Sequence, residues 1–133
     1  MPRKSLKTEP AGKHLDELLE QSLSLKNSGD FVGALAVLSR IVRKHPKSAA
    51  AWGLRGGIYL YELERPKDAI ACFERVTKLS PLSERGSLGL FHSLWDCGFH
   101  ERAVAEMKRF LSVSNSADYA EIAAELIEKG LGP

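Results

Sequence analysis

The sequence predicts an all-α fold, a short solenoid of helix–turn–helix repeats with about seven helices. Three observations predict it. Ala34, Ala69 and Ala103 recur at 34–35 residues, a period suited to one helical pair per repeat. Each is followed four residues on by a bulky apolar residue (Leu38, Phe73, Met107) and seven on by another (Ile41, Val76, Phe110), so all three copies trace one face of a helix. Turn residues separate the periodic stretches, and no stretch carries a strand signal.

Each element follows from its residues. Residues 1–13 hold Pro2, Pro10, Gly12 and four basic residues without periodicity, and are expected to form a disordered basic tail. A first helix is expected from about His14 to Asn27, with Leu15, Leu18, Leu19, Ser22 and Leu25 on one face. Ser28-Gly29-Asp30 is a turn, in which Gly29 suits a left-handed stop and Asp30 suits the next N-cap. The second helix has the cleanest apolar face: Phe31, Ala34, Leu35, Leu38, Ile41 and Val42. Arg40, Arg43, Lys44 and His45 crowd its end, where the helix dipole favours cations, and Pro46 stops it.

The second pair starts at the cap candidate Ser48. Trp52, Gly56 and Tyr59 share a face of its first helix. Its second helix starts near Pro66, a residue suited to a first helical position, and ends at Pro81. The third pair starts at Ser83; Leu88, Phe91, Leu94 and Trp95 pattern a helix that stops at Gly98, and Ala103, Met107, Phe110 and Leu111 pattern the next. A last helix, about 116–130, carries Tyr119, Ile122, Ala123, Leu126 and Ile127 and closes the core as a terminal cap. The repeats span about 14–47, 48–82 and 83–115 within one domain over 14–133.

Composition narrows the function classes. Hydrophobic residues make up 44% and charged residues 27%, an ordinary soluble balance. A net charge of +2 is too even to imply nucleic acid by itself. No apolar run approaches membrane-helix length, and residues 1–13 lack the apolar core of a secretory signal. Cys72 and Cys97 show no framework spacing and read as buried thiols in a reducing compartment, the cytoplasm by default.

The stretch AWGLRGGIYLYELERPKDAIACFERVTKLSP resembles the tetratricopeptide repeat, whose pattern it meets at Trp52, Gly56, Tyr59, Ala69, Phe73 and Pro81. The first copy keeps Leu18, Ser22, Leu25, Gly29, Ala34, Leu38 and Pro46. The third keeps Leu94, Gly98, Ala103, Met107 and Phe110, with Asn115 at the place of the closing proline. Trp52 to Ala69 is one residue longer than the family spacing, which puts an insertion at the turn Glu64-Arg65-Pro66. The resemblance implies a right-handed solenoid in which the first helix of each pair lines a concave groove for a protein or peptide partner.

Carried over position by position, the groove-facing residues would be Leu19, Leu23, Lys26 and Asn27 in the first repeat, Gly53, Gly57, Leu60 and Tyr61 in the second, and Leu88, His92, Trp95 and Asp96 in the third. One subfamily clamps chaperone C-terminal carboxylates with Lys and Asn. Leu19 and Leu23 stand at those places here, so the resemblance points instead to members that hold extended, partly apolar segments. Gly53 and Gly57 lie one turn apart and form a bare stripe, which reads either as a notch for a partner's large side chain or as crowding against a neighbouring repeat. Trp95 and Tyr61 read equally as aromatic anchors or as core cover. His92 reads as an ordinary polar residue of groove or core.

Catalytic and metal chemistry lack a constellation. His14, His45, His92 and His100 are scattered, and Cys97 with His100 is a single pair that cannot complete a tetrahedral site. Gly56-Gly57 lies mid-helix without a following Lys-Ser or Lys-Thr, so no phosphate loop is formed. The expectation is a non-enzymatic, cofactor-free interaction module, of adaptor, secretion-chaperone or toxin-immunity type, as monomer or weak homodimer. The alternatives are a self-assembling scaffold or, less favoured, a nucleic-acid accessory using Arg40, Arg43, Lys44, His45 and Lys47.

Overall fold

The computed structural model describes residues 11–130. Residues 1–10 of the expected tail lie outside that range. Seven helices follow one another among the described residues: α1 (Ala11–Asn27), α2 (Phe31–Lys44), α3 (Ala49–Gly57), α4 (Pro66–Leu79), α5 (Glu84–Asp96), α6 (His100–Val113) and α7 (Ala117–Glu128). α1 begins three residues before the expected start at His14. α3 runs on without a break into a π-helical turn, Ile58–Glu62.

The helix starts are built alike. Ser48, Ser83 and Ser116 each cap a helix by accepting a hydrogen bond from the backbone N–H three residues on, at Ala51 (3.2 Å), Gly86 (3.0 Å) and Tyr119 (3.1 Å). Asp30 does the same for Gly33 at 2.8 Å. Pro66 sits in the first turn of α4, where its missing N–H leaves no bond unmade.

The extra residue of the second repeat is not in the turn where the spacing placed it. It is taken up inside the helix, where the Leu63 N–H bonds to the Ile58 carbonyl five residues back at 2.9 Å. The turn itself keeps the shape of the other repeats. Glu64 adopts a left-handed backbone (φ 53°) at the place held by Gly29 (φ 85°) and Gly98 (φ 84°), five residues before each repeated alanine.

Consecutive helices pack in antiparallel pairs, and each pair packs on the next. The core falls into two clusters. Ala34, Val37, Leu38 and Ile41 of α2 meet Ala51 and Ile58 in the first. Phe73, Val76, Leu90, Phe91, Leu94, Met107 and Phe110 form the second, closed by Tyr119 and Leu126 of α7. Ala34, Ala69 and Ala103 are all fully buried, so the alanine ladder marks where paired helices approach most closely.

A polar network ties α7 to the third pair. Ser87 Oγ donates to Glu106 Oε2 at 2.5 Å and shares a 2.6 Å hydrogen bond with the Tyr119 hydroxyl. Arg109 donates to both carboxylate oxygens of Glu106, at 2.8 and 2.7 Å. Burial, opposed by the Ser87 hydrogen bond, raises the Tyr119 hydroxyl far above its usual range, and the hydrogen bond to Glu106 raises Arg109. Each buried polar atom of this network has a partner, which is what its burial requires.

Candidate partner-binding groove

The first helices of the three pairs and the start of α7 border a groove of about 740 Å³. Lys26 comes from α1. Gly53, Leu54 and Gly57 come from α3, followed by Tyr61 and Glu62 of the π turn. Arg85 and Leu88 come from α5, and Asp118 from α7. Phe73 and Val76 of α4 form part of its floor.

The glycines explain why the floor is reachable. A methyl group on Gly53 would meet only Val76 Cγ2, at 3.8 Å, and one on Gly57 only Tyr61 Cδ2 of the same helix, at 3.9 Å. These are ordinary contacts, so the neighbouring repeat does not crowd either glycine. Crowding by a facing helix occurs at three others. A methyl group on Gly56 would lie 3.0 Å from the Phe73 ring, one on Gly89 would overlap that ring, and one on Gly86 would overlap Val76. Gly56 and Gly89 therefore hold Phe73 between α3 and α5, while Gly53 and Gly57 leave a bare strip beside it.

Of the residues expected to face the groove, Lys26, Gly53, Gly57, Tyr61 and Leu88 line it together. Leu60 does not. It is 6% exposed and packs in the second core cluster, because the π turn changes the facing of residues after Gly57 and leaves Tyr61, at 61% exposure, on the open side. Leu19 is half-buried against the first core cluster; Leu23 and Asn27 are exposed on α1 away from the groove lining.

His92 and Asp96 extend the α5 face beyond Leu88. Burial lowers the His92 pKa, partly offset by the Asp96 carboxylate. Burial and Asp96 both raise the Tyr61 hydroxyl, with Arg85 opposing, which places Tyr61 in the fields of two α5 side chains. Trp95 is half-buried over the second core, stacked on Phe91 (centroids 5.8 Å apart) and tilted against His100 (4.1 Å).

Sequence reasoning missed Ala50, Arg85 and Asp118. Each stands two residues after a capping serine (Ser48, Ser83, Ser116), so the repeated cap was the signal that could have found them. It also missed Leu54 and Glu62, for which no repeated signal exists.

Other chemistry is sparse. Among the described residues no group of three or more His, Cys, Asp or Glu side chains could hold a metal, and no helix is long and apolar enough to cross a membrane. Cys72 and Cys97 are free; burial raises the Cys72 thiol, against the opposing field of Arg55. The faces of Trp52 and Tyr59 already carry guanidinium groups, from Arg55 and Arg75 on the first and from Arg55 and Arg65 on the second, at 5.2–5.9 Å.

Comparison with known proteins agrees with this architecture. A family model described as tetratricopeptide repeat matches residues 19–84. No curated protein sequence gives a significant match. Among solved structures, MamA 41-end from Desulfovibrio magneticus RS-1 superposes with a TM-score of 0.74 at 18% identity, over 88% of this chain and 67% of that one. The MamA RS-1 ArsTM double mutant gives 0.74 at 19% identity, over 87% and 66%. The first TPR domain of the human RPAP3 protein gives 0.73 at 13% identity, over 86% and 90%. The chain thus spans about two thirds of the MamA structures it resembles. At these identities the likeness is one of fold.

Proposed function

The chain is a tetratricopeptide-repeat protein, and from that premise we propose that it is a non-catalytic adaptor or dedicated chaperone of the cytoplasm that holds one extended polypeptide segment in its concave groove. Repeats of this family generally mediate protein–protein interaction. The observation that carries the reading is the uncrowded strip of Gly53 and Gly57 beside Phe73 and Val76. Helix-interior glycine costs roughly 1 kcal/mol against alanine, and neither position needs a glycine for packing. An apolar side chain of the partner fits the strip, Leu54 and Leu88 extend the apolar surface, and Tyr61 offers an exposed aromatic anchor. Lys26, Arg85, Glu62 and Asp118 are charges that fix the register of the bound segment. Secretion-chaperone and toxin-immunity roles both call for such a single partner.

The test is affinity capture at native expression with the wild-type chain and a Gly57→Leu variant of unchanged circular dichroism. One stoichiometric polypeptide, lost with Gly57→Leu, is expected. Equal capture by both chains refutes the strip as the seat, and a spread of weak partners refutes the dedicated role.

A further inference from the structure

The two ends of the stack expose helix faces of opposite charge. The capping serines put α7 in register with α3: counted from Ser116 and Ser48, the residues Ala120, Ala124 and Ile127 stand where Trp52, Gly56 and Tyr59 stand. In α3 that face is covered by its pair helix, with Gly56 against Phe73 and Cys72 of α4. In α7 the same face is open. Ala120 and Ala124 are exposed, and Ile127 is 60% exposed. Glu121, Glu125 and Glu128 flank this stripe, and α7 contains no basic residue.

At the other end, α2 exposes Val32 (79%), Ala36, Arg40, Arg43 and Lys44 along its length and contains no acidic residue. Among the described residues none of these charges on either helix takes part in an ion pair.

We propose that this is an interface between copies of the chain: α7 of one molecule docks on α2 of the next, and the molecules assemble head to tail. The small residues Ala36, Ala120 and Ala124 let the two helices approach closely, and Val32 and Ile127 are the large apolar side chains left to bury. The glutamates then face arginines, whereas pairing α7 with α7, or α2 with α2, sets like charges together. The two surfaces differ, so the contact is heterologous and does not stop at two copies. The assembly is independent of what the groove holds.

The experiment is sedimentation equilibrium of the purified chain over a range of concentrations, at about 0.1 M and about 1 M salt, which shortens the screening length from about 10 to about 3 Å. At the lower salt the mean mass is expected to grow with concentration past that of a dimer; at the higher salt it returns toward the 14.7 kDa of one chain. Reversing charges at one end only, with Glu121→Arg and Glu125→Arg in one variant or Arg40→Glu and Arg43→Glu in another, should weaken association at least about tenfold, a change of about 1.4 kcal/mol. An equimolar mixture of the two variants should assemble again, because each reversed face then meets its reversed counterpart. A monomer at every concentration, a dimer that grows no further, or association indifferent to the reversals overturns the proposal. So does a chain that stays monomeric while α7 binds a synthetic Lys- and Ala-rich amphipathic helix, an outcome that assigns the face to a separate helical partner.

Discussion

Arg75 donates a hydrogen bond from Nη2 to the backbone carbonyl of Pro46, 3.2 Å away and 29 residues back. Arg109 repeats the contact one module later, to the carbonyl of Pro81 at 3.1 Å. Both arginines stand six residues after a repeated alanine, so each second helix grips the end of the repeat before it. The same Pro46 carbonyl also accepts from Trp52 Nε1 at 2.9 Å. Arg40 holds the equivalent place in the first repeat and, among the described residues, makes no such hydrogen bond and is exposed. Arg75→Ala should therefore lower stability by roughly 1 kcal/mol in urea denaturation, the usual worth of one such bond, while Arg40→Ala changes it by less than about 0.5 kcal/mol. Equal losses in the two variants would sink this account.

The glycines divide into two groups with opposite expected responses. Gly86→Ala and Gly89→Ala push a methyl group into Val76 and Phe73 and should destabilise by roughly 1–3 kcal/mol. Gly53→Ala and Gly57→Ala meet only ordinary contacts and should stabilise by about 0.5–1 kcal/mol, through the lower conformational entropy of the unfolded chain. Thermal melts of the four single variants check the sign of each.

Glu64 carries a backbone conformation that glycine adopts in the other two turns. Glu64→Gly should raise stability by about 1 kcal/mol, the strain of a left-handed residue with a Cβ. Deleting Tyr61 restores the spacing from Leu18 to Ala34 and from Ser87 to Ala103, and should leave a folded chain whose α3 is regular to its end. A deletion variant without cooperative melting would contradict this origin of the π turn.

Tyr119→Phe removes one partner of Ser87 and leaves Glu106 and Arg109 in place. It should cost roughly 1 kcal/mol, the usual worth of one such hydrogen bond, because Ser87 keeps its bond to Glu106. Hydrogen exchange should speed up first in α7, which is held by Tyr119 and Leu126. A uniform change along the chain would argue against a local tie.

His92 sets a pH dependence. Its pKa in the folded chain lies below the ordinary value of 6.5 because burial disfavours the imidazolium. Below pH 6.5 the unfolded chain binds the proton more readily than the folded one, so stability present above that pH falls as the solution is acidified toward the folded pKa. His92→Gln should flatten the stability profile in this window, read by urea midpoints at successive pH values. An unchanged slope would assign the dependence to another group.

The sequence made the scaffold legible because its packing signals repeat. Small alanines, bulky residues one and two turns later, and capping serines recur in the same register, and each has the same physical job in every copy. The arginines that grip the prolines recur too, yet a charged side chain near a helix end is equally explained by the dipole, so the pattern did not stand out. The groove was half legible. Gly53, Gly57 and Leu88 precede or avoid the π turn and fell where the repeat register puts them. Leu60 lies within the turn, where the extra residue breaks that register, and entered the core instead. Whether a glycine is crowded depends on the residue facing it from another helix, as Phe73 faces Gly89, and no spacing along one strand of sequence records that.

The π turn also bears on how such an array is inherited. One added residue in a regular helix rotates everything beyond it by about 100°, which would scramble every later contact. Here the disturbance is confined to Ile58–Glu62, and Ala69, Phe73 and Pro81 keep the spacing to one another that the repeat requires. A duplicated module can thus change length without its neighbours changing with it. Within that turn Ile58 and Leu60 stay in the core, and Tyr61, 61% exposed, is the side chain left to vary with whatever the open side of the molecule meets.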